Sequence, residues 1–412
     1  MAISPAEHLA WILDRVTSVT TCTVDLTEAR GTVLAEDVFS AHPLPLWENS
    51  AMDGYAVRSS DTLNANEQQP IALSVVGEVA AGSSWDAPLE PGQAVRIMTG
   101  APIPTSSDAV VRVEWTIGDQ GENTWADELV RVFKPVQPGQ EVRVRGEDLT
   151  QGALVARTGD QLTAVRLSAL AAAGVAQVLV RRAPRVAVLV TGAELQPLGA
   201  ALTRGQIPES NSLLIGGLLA EAGIVEVNVQ HCPDEVTEVT QKLAELGASY
   251  DVIVSTGGVG PGTRDVMRLA LEEEAEVRAV RLDARPGQPQ CTGRLAAGAF
   301  VFALPGNPVS AAVGFELFVR PALRAMQGHA VFERPRLTAT AGTGWRGITG
   351  KLQVLPVEFE YGQSLRCYPV VHSKRVSHSV GGFGAAEGYA LVESERGDIA
   401  EGDTVQVIRT LP

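Results

Sequence analysis

The stretch STGGVGPGTRD, Ser255 to Asp265, follows directly on the apolar run DVIV, Asp251 to Val254. A short buried strand running into a glycine-rich loop is how parallel α/β sheets present a ligand-binding edge. Gly257, Gly258 and Gly260 permit backbone conformations closed to other residues, so successive N–H groups can converge on an anion. The loop lacks the Lys-Ser/Thr of a Walker motif and contains no G-x-G-x-x-G. This argues against an ordinary NTPase and a Rossmann dehydrogenase.

Outward from this loop, residues 185–326 alternate. RVAVLV, VEVNVQ, DVIVS and FVFAL read as strands; SNSLLIGGLLAEAG, DEVTEVTQKLAELG, DVMRLALEEEA and PVSAAVGFELFVRPAL read as helices. Such alternation predicts a doubly wound parallel sheet with helices on both faces. Residues 3–17 predict an amphipathic helix, with Pro5 and Glu7 suited to its first turn. Valine-rich runs cut by Gly and Pro between Gln69 and Arg145 predict a β-domain, and short strands return from Arg334 onward as a small β-domain or barrel.

Two further loops at strand ends carry matching chemistry. TGAEL begins at Thr191. LPGNPVS supplies Pro305, Gly306, Asn307, Pro308 and Ser310, with Asn307 placed as a helix N-cap and Pro308 as the first helical residue. Together the three loops predict an oxyanion site. Two acids, Glu194 and Asp265, stand on these loops. A carboxylate beside an anion is unfavourable unless a divalent cation lies between them, which points to Mg²⁺ held by Glu194 and Asp265. For Asp265 the alternative is a helix N-cap, and the two roles can coexist.

Composition narrows the partners. The 412-residue chain carries a formal charge of −15, and a surface of that sign repels nucleic acid and anionic lipid. The cysteines Cys22, Cys232, Cys291 and Cys367 form no CxxC pair, as expected of reduced thiols in a cytoplasmic protein. The N-terminal stretch contains Glu7 and Asp14 and lacks the basic start of a signal peptide. No apolar run is long enough to predict a membrane span. Only Lys134, Lys242, Lys351 and Lys374 among the 33 basic residues are lysine.

Six motifs in order resemble the molybdenum insertase family, which includes bacterial MoeA, the plant Cnx E domain and the E domain of gephyrin. They are NSAMDGYAV (Asn49–Val57), VRIMTGAPIPTSSDAVV (Val95–Val111), VRVRGEDLTQGALV (Val142–Val155), GQIPESNS (Gly205–Ser212), STGGVGPGTRD and LPGNPVSA. The resemblance implies a multi-domain α/β subunit. Residues 1–45 with 146–180 would form an N-terminal dimerisation domain, and 46–145 an inserted β-rich domain. Residues 181–327 would form a molybdopterin-binding α/β domain, and 334–412 a C-terminal β-barrel. It further implies a homodimer that places molybdenum from molybdate on adenylylated molybdopterin, with Mg²⁺ and release of AMP. On the matching motifs, Asp53 and Asp148 would be acids reaching the partner subunit's cleft. Glu194, Asp234 and Asp265 would lie on the α/β side, Thr99 would supply a hydroxyl, and Arg281, Arg285 and Arg375 would meet molybdate.

The sequence departs from the family at two points. Ala193 replaces the first acid of a TGDE-like pair, and Gln288 stands where a lysine is expected. These departures leave an alternative: a gephyrin-like dimeric scaffold that binds a short peptide of a membrane receptor or of the tubulin-like division protein. A third reading is storage of molybdopterin without turnover. Retention of Asp53, Asp148, Glu194 and Asp265 favours the enzyme.

Overall fold

The structure, a computed structural model, describes residues 2–224, 226–373 and 375–410. Its centre is a six-stranded sheet formed by β1 (Val186–Thr191), β2 (Val227–Cys232), β3 (Val252–Thr256), β4 (Glu276–Arg281), β5 (Pro289–Arg294) and β6 (Phe300–Leu304), in the order β2-β1-β3-β6-β5-β4. Every residue of β1 is buried because successive side chains enter different cores. Val186, Val188 and Val190 meet Ile215, Leu219 and Phe302 on one face. Ala187 and Leu189 meet Val239, Leu243 and Met267 on the other. A strand covered on both faces reads as a continuous apolar run, as this one does.

Strands β2, β1, β3 and β6 are parallel, as the alternation predicted. Strands β4 and β5 are not: they form an antiparallel hairpin added to β6. The four strands read from the sequence form the parallel part, and the hairpin is an addition that the sequence reading did not include. The hairpin falls between Glu276 and Arg294, where charges and prolines obscure the apolar pattern.

Helices α1 (Pro5–Leu13), α2 (Ala164–Ala172), α3 (Asn211–Glu221), α4 (Val236–Ser249), α5 (Val266–Ala270) and α6 (Pro308–Gly314) complete the layers. A capping box between Ser4 and Glu7 starts α1, with Pro5 in its first turn. Helix α1 buries Ile12 in the core of the parallel sheet. His8 is fully buried, its ring edge on Phe318 and its Nδ1 2.7 Å from the Arg278 guanidinium. Burial, and then the charge of Arg278, push the His8 imidazole down to about 3. The segment before α1 is tied to the hairpin, since Ile3 N–H donates to the Arg281 carbonyl.

Thr21–Asp25 pairs with Gln177–Arg181 beside α2, over a small core of Leu26, Leu34, Leu170 and Val178. The central region holds a curled seven-stranded sheet. Gly54 in its AMDGY motif is required by strand pairing, because a Cβ there would lie 2.0 Å from the Val111 carbonyl oxygen. The next residue, Tyr55, is fully buried, and its hydroxyl accepts the Ala126 N–H at 2.7 Å.

The C-terminal domain is a barrel of Arg336–Ala341, Leu352–Glu360, Arg366–Pro369, Gly388–Val392 and Thr404–Arg409, closed by pairing of the second strand with the fourth. Just beyond β4, Ala284–Arg285 pairs with Leu352–Gln353 of the barrel. This short ladder fixes the barrel against the carboxyl end of the sheet.

Candidate functional site

The three loops predicted to share an anion meet at one sheet edge. Gly257 has φ +100°, and a Cβ on it would lie 2.8 Å from the Thr191 carbonyl oxygen. A Cβ on Gly306 would lie 3.4 Å from the Gly257 Cα. The GQIPESNS motif braces this stack. Asn211 Nδ2 donates to the Gly306 carbonyl at 2.8 Å, and the Glu209 carboxylate takes the Ser212 N–H at 2.9 Å and the Ser212 hydroxyl. Four polar atoms at this edge are buried without a hydrogen-bond partner: the hydroxyls of Thr191, Ser255 and Thr256, and Asn211 Oδ1. Each such group costs about 1–3 kcal/mol when left unpaired, so their clustering marks a place where a ligand offsets the cost.

Asp265 does not act as the helix cap. It precedes α5 but makes no cap bond to it. Its Oδ1 instead accepts the Gly260 N–H at 2.6 Å and its Oδ2 the Gly262 N–H at 2.8 Å. The Gly260 N–H is therefore engaged by the acid. Asn307 also precedes its helix without a side-chain cap bond, and Pro308 stands at the helix start as expected.

Asp234 is half-buried after β2, and three other acids act on it. Burial, then the charges of Glu194, Glu235 and Asp265, push its carboxyl above the usual range. The structure thus brings Glu194, Asp234 and Asp265 into one electrostatic neighbourhood. Among the described residues, no three His, Cys, Asp or Glu side chains are grouped so as to chelate a metal ion. These acids suit a cation that takes the rest of its shell from substrate oxygens and water, which is how Mg²⁺ binds beside phosphates.

Two cationic residues, Arg285 and Lys351, meet beside the PGNPVS loop. A cleft of about 250 Å³ is lined by Arg285, Gln288, Asn307, Ser310, Lys351 and Ser377. Lys351 and Ser377, from the barrel, were not singled out in the sequence. Arg281 does not line this cleft; its Nη2 lies 3.4 Å from Gln288 Oε1. Arg375 does not line it either, although the turn that follows it, Val376–His378, packs on α6.

Asp53 is exposed, and its Oδ1 accepts both the N–H and the hydroxyl of Thr99, at 2.7 and 2.8 Å. These two bonds hold its carboxyl below the usual range. The Thr99 hydroxyl is thus engaged by Asp53. Asp148 is exposed on the turn following Gly146. A larger cavity of about 550 Å³, between α1 and the barrel, contains none of the loop residues.

Comparison with known proteins shows the family. Residues 3–174 match the family described as MoeA N-terminal region (domain I and II), and residues 187–325 match the probable molybdopterin binding domain. The chain is 34% identical over 410 residues to a Mycobacterium tuberculosis protein named molybdopterin molybdenumtransferase 2, covering 98% of each. It is 33% identical over 386 residues to the Haemophilus influenzae molybdopterin molybdenumtransferase, covering 93% of this chain and 92% of that one. The crystal structure of a Pyrococcus horikoshii molybdopterin biosynthesis MoeA protein superposes with a TM-score of 0.83 at 27% identity, over 99% of this chain and 100% of the other. The chain belongs to the MoeA family of molybdopterin molybdenumtransferases.

Proposed function

We propose that this chain transfers molybdenum from molybdate to adenylylated molybdopterin and releases AMP. The observation that carries the proposal is the stacking of the Thr191, Gly257 and Gly306 loops, with their unpartnered polar atoms, between an acidic group and a cationic cleft. The loops hold the phosphates through main-chain N–H groups and the Thr191 hydroxyl. The Asp234 carboxylate, made more basic by burial and by the charges of Glu194, Glu235 and Asp265, accepts a proton from the attacking water. Arg285 and Lys351 take the molybdate dianion, with Ser310 and Ser377 as neutral donors. Glu194 and Asp265 would hold Mg²⁺ against the phosphates, where it supplies charge neutralisation.

The active form in this proposal is a homodimer. Asp53 and Asp148 then face the loop edge of the partner subunit. Exposed Trp47, Leu46 and Val144 near Asp148 support a covered surface there, since exposed apolar groups of this size favour burial. The peptide-binding scaffold finds no support among the relatives named above, two of which are named as transferases. No helix among the described residues is long and apolar enough to cross a membrane.

The test is turnover by purified wild-type protein given adenylylated molybdopterin, Mg²⁺ and molybdate. AMP and molybdenum-loaded cofactor should appear together, and absence of both rejects the proposal. Lys351→Ala should raise the KM for molybdate about tenfold, the loss of one charge-assisted contact. An unchanged KM would remove the cleft from the reading.

A further inference from the structure

Arg268 has no role in the reading above, yet it holds the glycine-rich loop at three points. Its main-chain N–H donates to the Gly258 carbonyl at 2.9 Å. Its Nε donates to the Gly260 carbonyl at 3.1 Å and its Nη2 to the Gly262 carbonyl at 3.3 Å. Asp265, three residues earlier, takes the N–H groups of the same two glycines. At Gly260 and at Gly262 the N–H is therefore held by an acid and the carbonyl by a base.

The chemistry of the turn fits this arrangement. Pro261, between the two glycines, has a fixed φ and no N–H of its own to satisfy. A Cβ on Gly260 or Gly262 would lie 2.8 or 2.7 Å from an Asp265 carboxylate oxygen, so a side chain at either position would push the carboxylate off its bonds. The Arg268 side chain is only 25% exposed, and its ion pair to Glu272 is long, at 3.9 Å. The loop carbonyls are its closer partners. A carbonyl oxygen left unheld here is free to turn toward the ligand edge, where it would repel a phosphate.

We infer that Arg268 is a positioning residue of the nucleotide site. With Asp265 it clamps the Gly260–Gly262 turn, which sets the direction of the Asp265 carboxylate and keeps the Gly258 N–H, rather than a loop carbonyl, on the phosphate side; the Gly257 N–H is already held by the Leu304 carbonyl. The identity of the ligand rests on the function proposed above; the clamp itself does not.

The test compares wild type, Arg268→Ala and Arg268→Lys in the full chain. One readout is amide hydrogen exchange across residues 257–264. The second is KM and kcat for adenylylated molybdopterin. In Arg268→Ala the Gly260 and Gly262 amides should exchange faster. KM should rise about tenfold, through the misplaced loop, while kcat stays within about twofold. Lysine, a point charge rather than a fork, should restore part of both effects. Unchanged exchange in Arg268→Ala overturns the clamp. Faster exchange with an unchanged KM, or a fall in kcat alone, overturns its link to binding. If wild type shows no turnover, the proposed function fails, and calorimetry with AMP and Mg²⁺ replaces the kinetic arm. AMP affinity about tenfold weaker in Arg268→Ala then supports the inference, and equal affinity overturns it.

Discussion

At the amino end of the parallel sheet, Asp251 lies between two arginines. Arg182 donates to both its carboxylate oxygens, at 2.6 and 2.9 Å, and the Arg185 main-chain N–H donates at 2.7 Å. The Asp251 N–H returns to the Arg185 carbonyl, and the Phe300 N–H to the Asp251 carbonyl, so the starts of β1, β3 and β6 are joined. Although burial opposes ionisation, these partners hold the Asp251 carboxyl well below the usual range. At the carboxyl end, some five residues further along each strand, the acids repel one another. Asp234 is pushed the opposite way by burial and by Glu194, Glu235 and Asp265. One sheet thus carries an acid paired with arginine where its strands start, and mutually repelling acids at the end that carries the candidate site. Perturbation by an ion pair accompanies structural duty, and perturbation by like charge marks the acids of the candidate site.

This contrast can be broken by substitution at either end. Asp234→Asn should lower turnover about 100-fold, the scale of a lost general base. It should also leave stability unchanged or raise it by a few tenths of a kcal/mol, because one repulsion is relieved. Turnover rates and urea midpoints measured side by side would decide; full activity, or a large loss of stability, would erase the distinction.

Asp251→Asn should do the reverse. Loss of a partly buried, multiply bonded carboxylate should cost about 2 kcal/mol of stability, leaving KM and kcat near wild type. A selective loss of activity in this variant would mean that the amino end serves the site after all.

The smallest expected effect is on the pH dependence of stability. Asp251 has its folded pKa below the ordinary 3.8, so its contribution is present above that value and is lost as pH falls through the folded value. Asp234 has its folded pKa above 3.8, so its repulsion is fully present at neutral pH and is relieved as pH falls toward 3.8. Asp251→Asn should flatten the acid limb of the stability curve below about pH 4. Asp234→Asn should steepen the limb just above it. Denaturation curves at closely spaced pH values would show the two changes, and identical curves would contradict both assignments.

Much of the site was legible in the sequence because its parts are local. The strand-to-loop transitions at Thr191, Gly257 and Gly306 each lie within a few residues of an apolar run, and the sheet necessarily brings parallel strand ends together. Asp265 was legible as an acid of the loop but not in its task. Its binding of Gly260 and Gly262 depends on how the loop folds back over α5, which spacing does not reveal. Arg268 escaped notice for the same reason, since an arginine on a short helix normally faces solvent. Lys351 and Ser377 were invisible for a different reason. They come from a separate domain, some 66 and 92 residues beyond Arg285, and reach the cleft only because Ala284–Arg285 pairs with the barrel.

By itself, the sequence determined the family, the order of strands and helices through most of the α/β domain, and the side of the sheet on which the ligand loops emerge. Alternating burial and glycine geometry are properties of neighbouring residues and need no long-range information. Only the tertiary structure decided which acids have partners, which loop N–H groups are already engaged, and which cations share a cleft. Those outcomes depend on charge–charge distances and on contacts between distant segments, and the linear order of residues does not specify them.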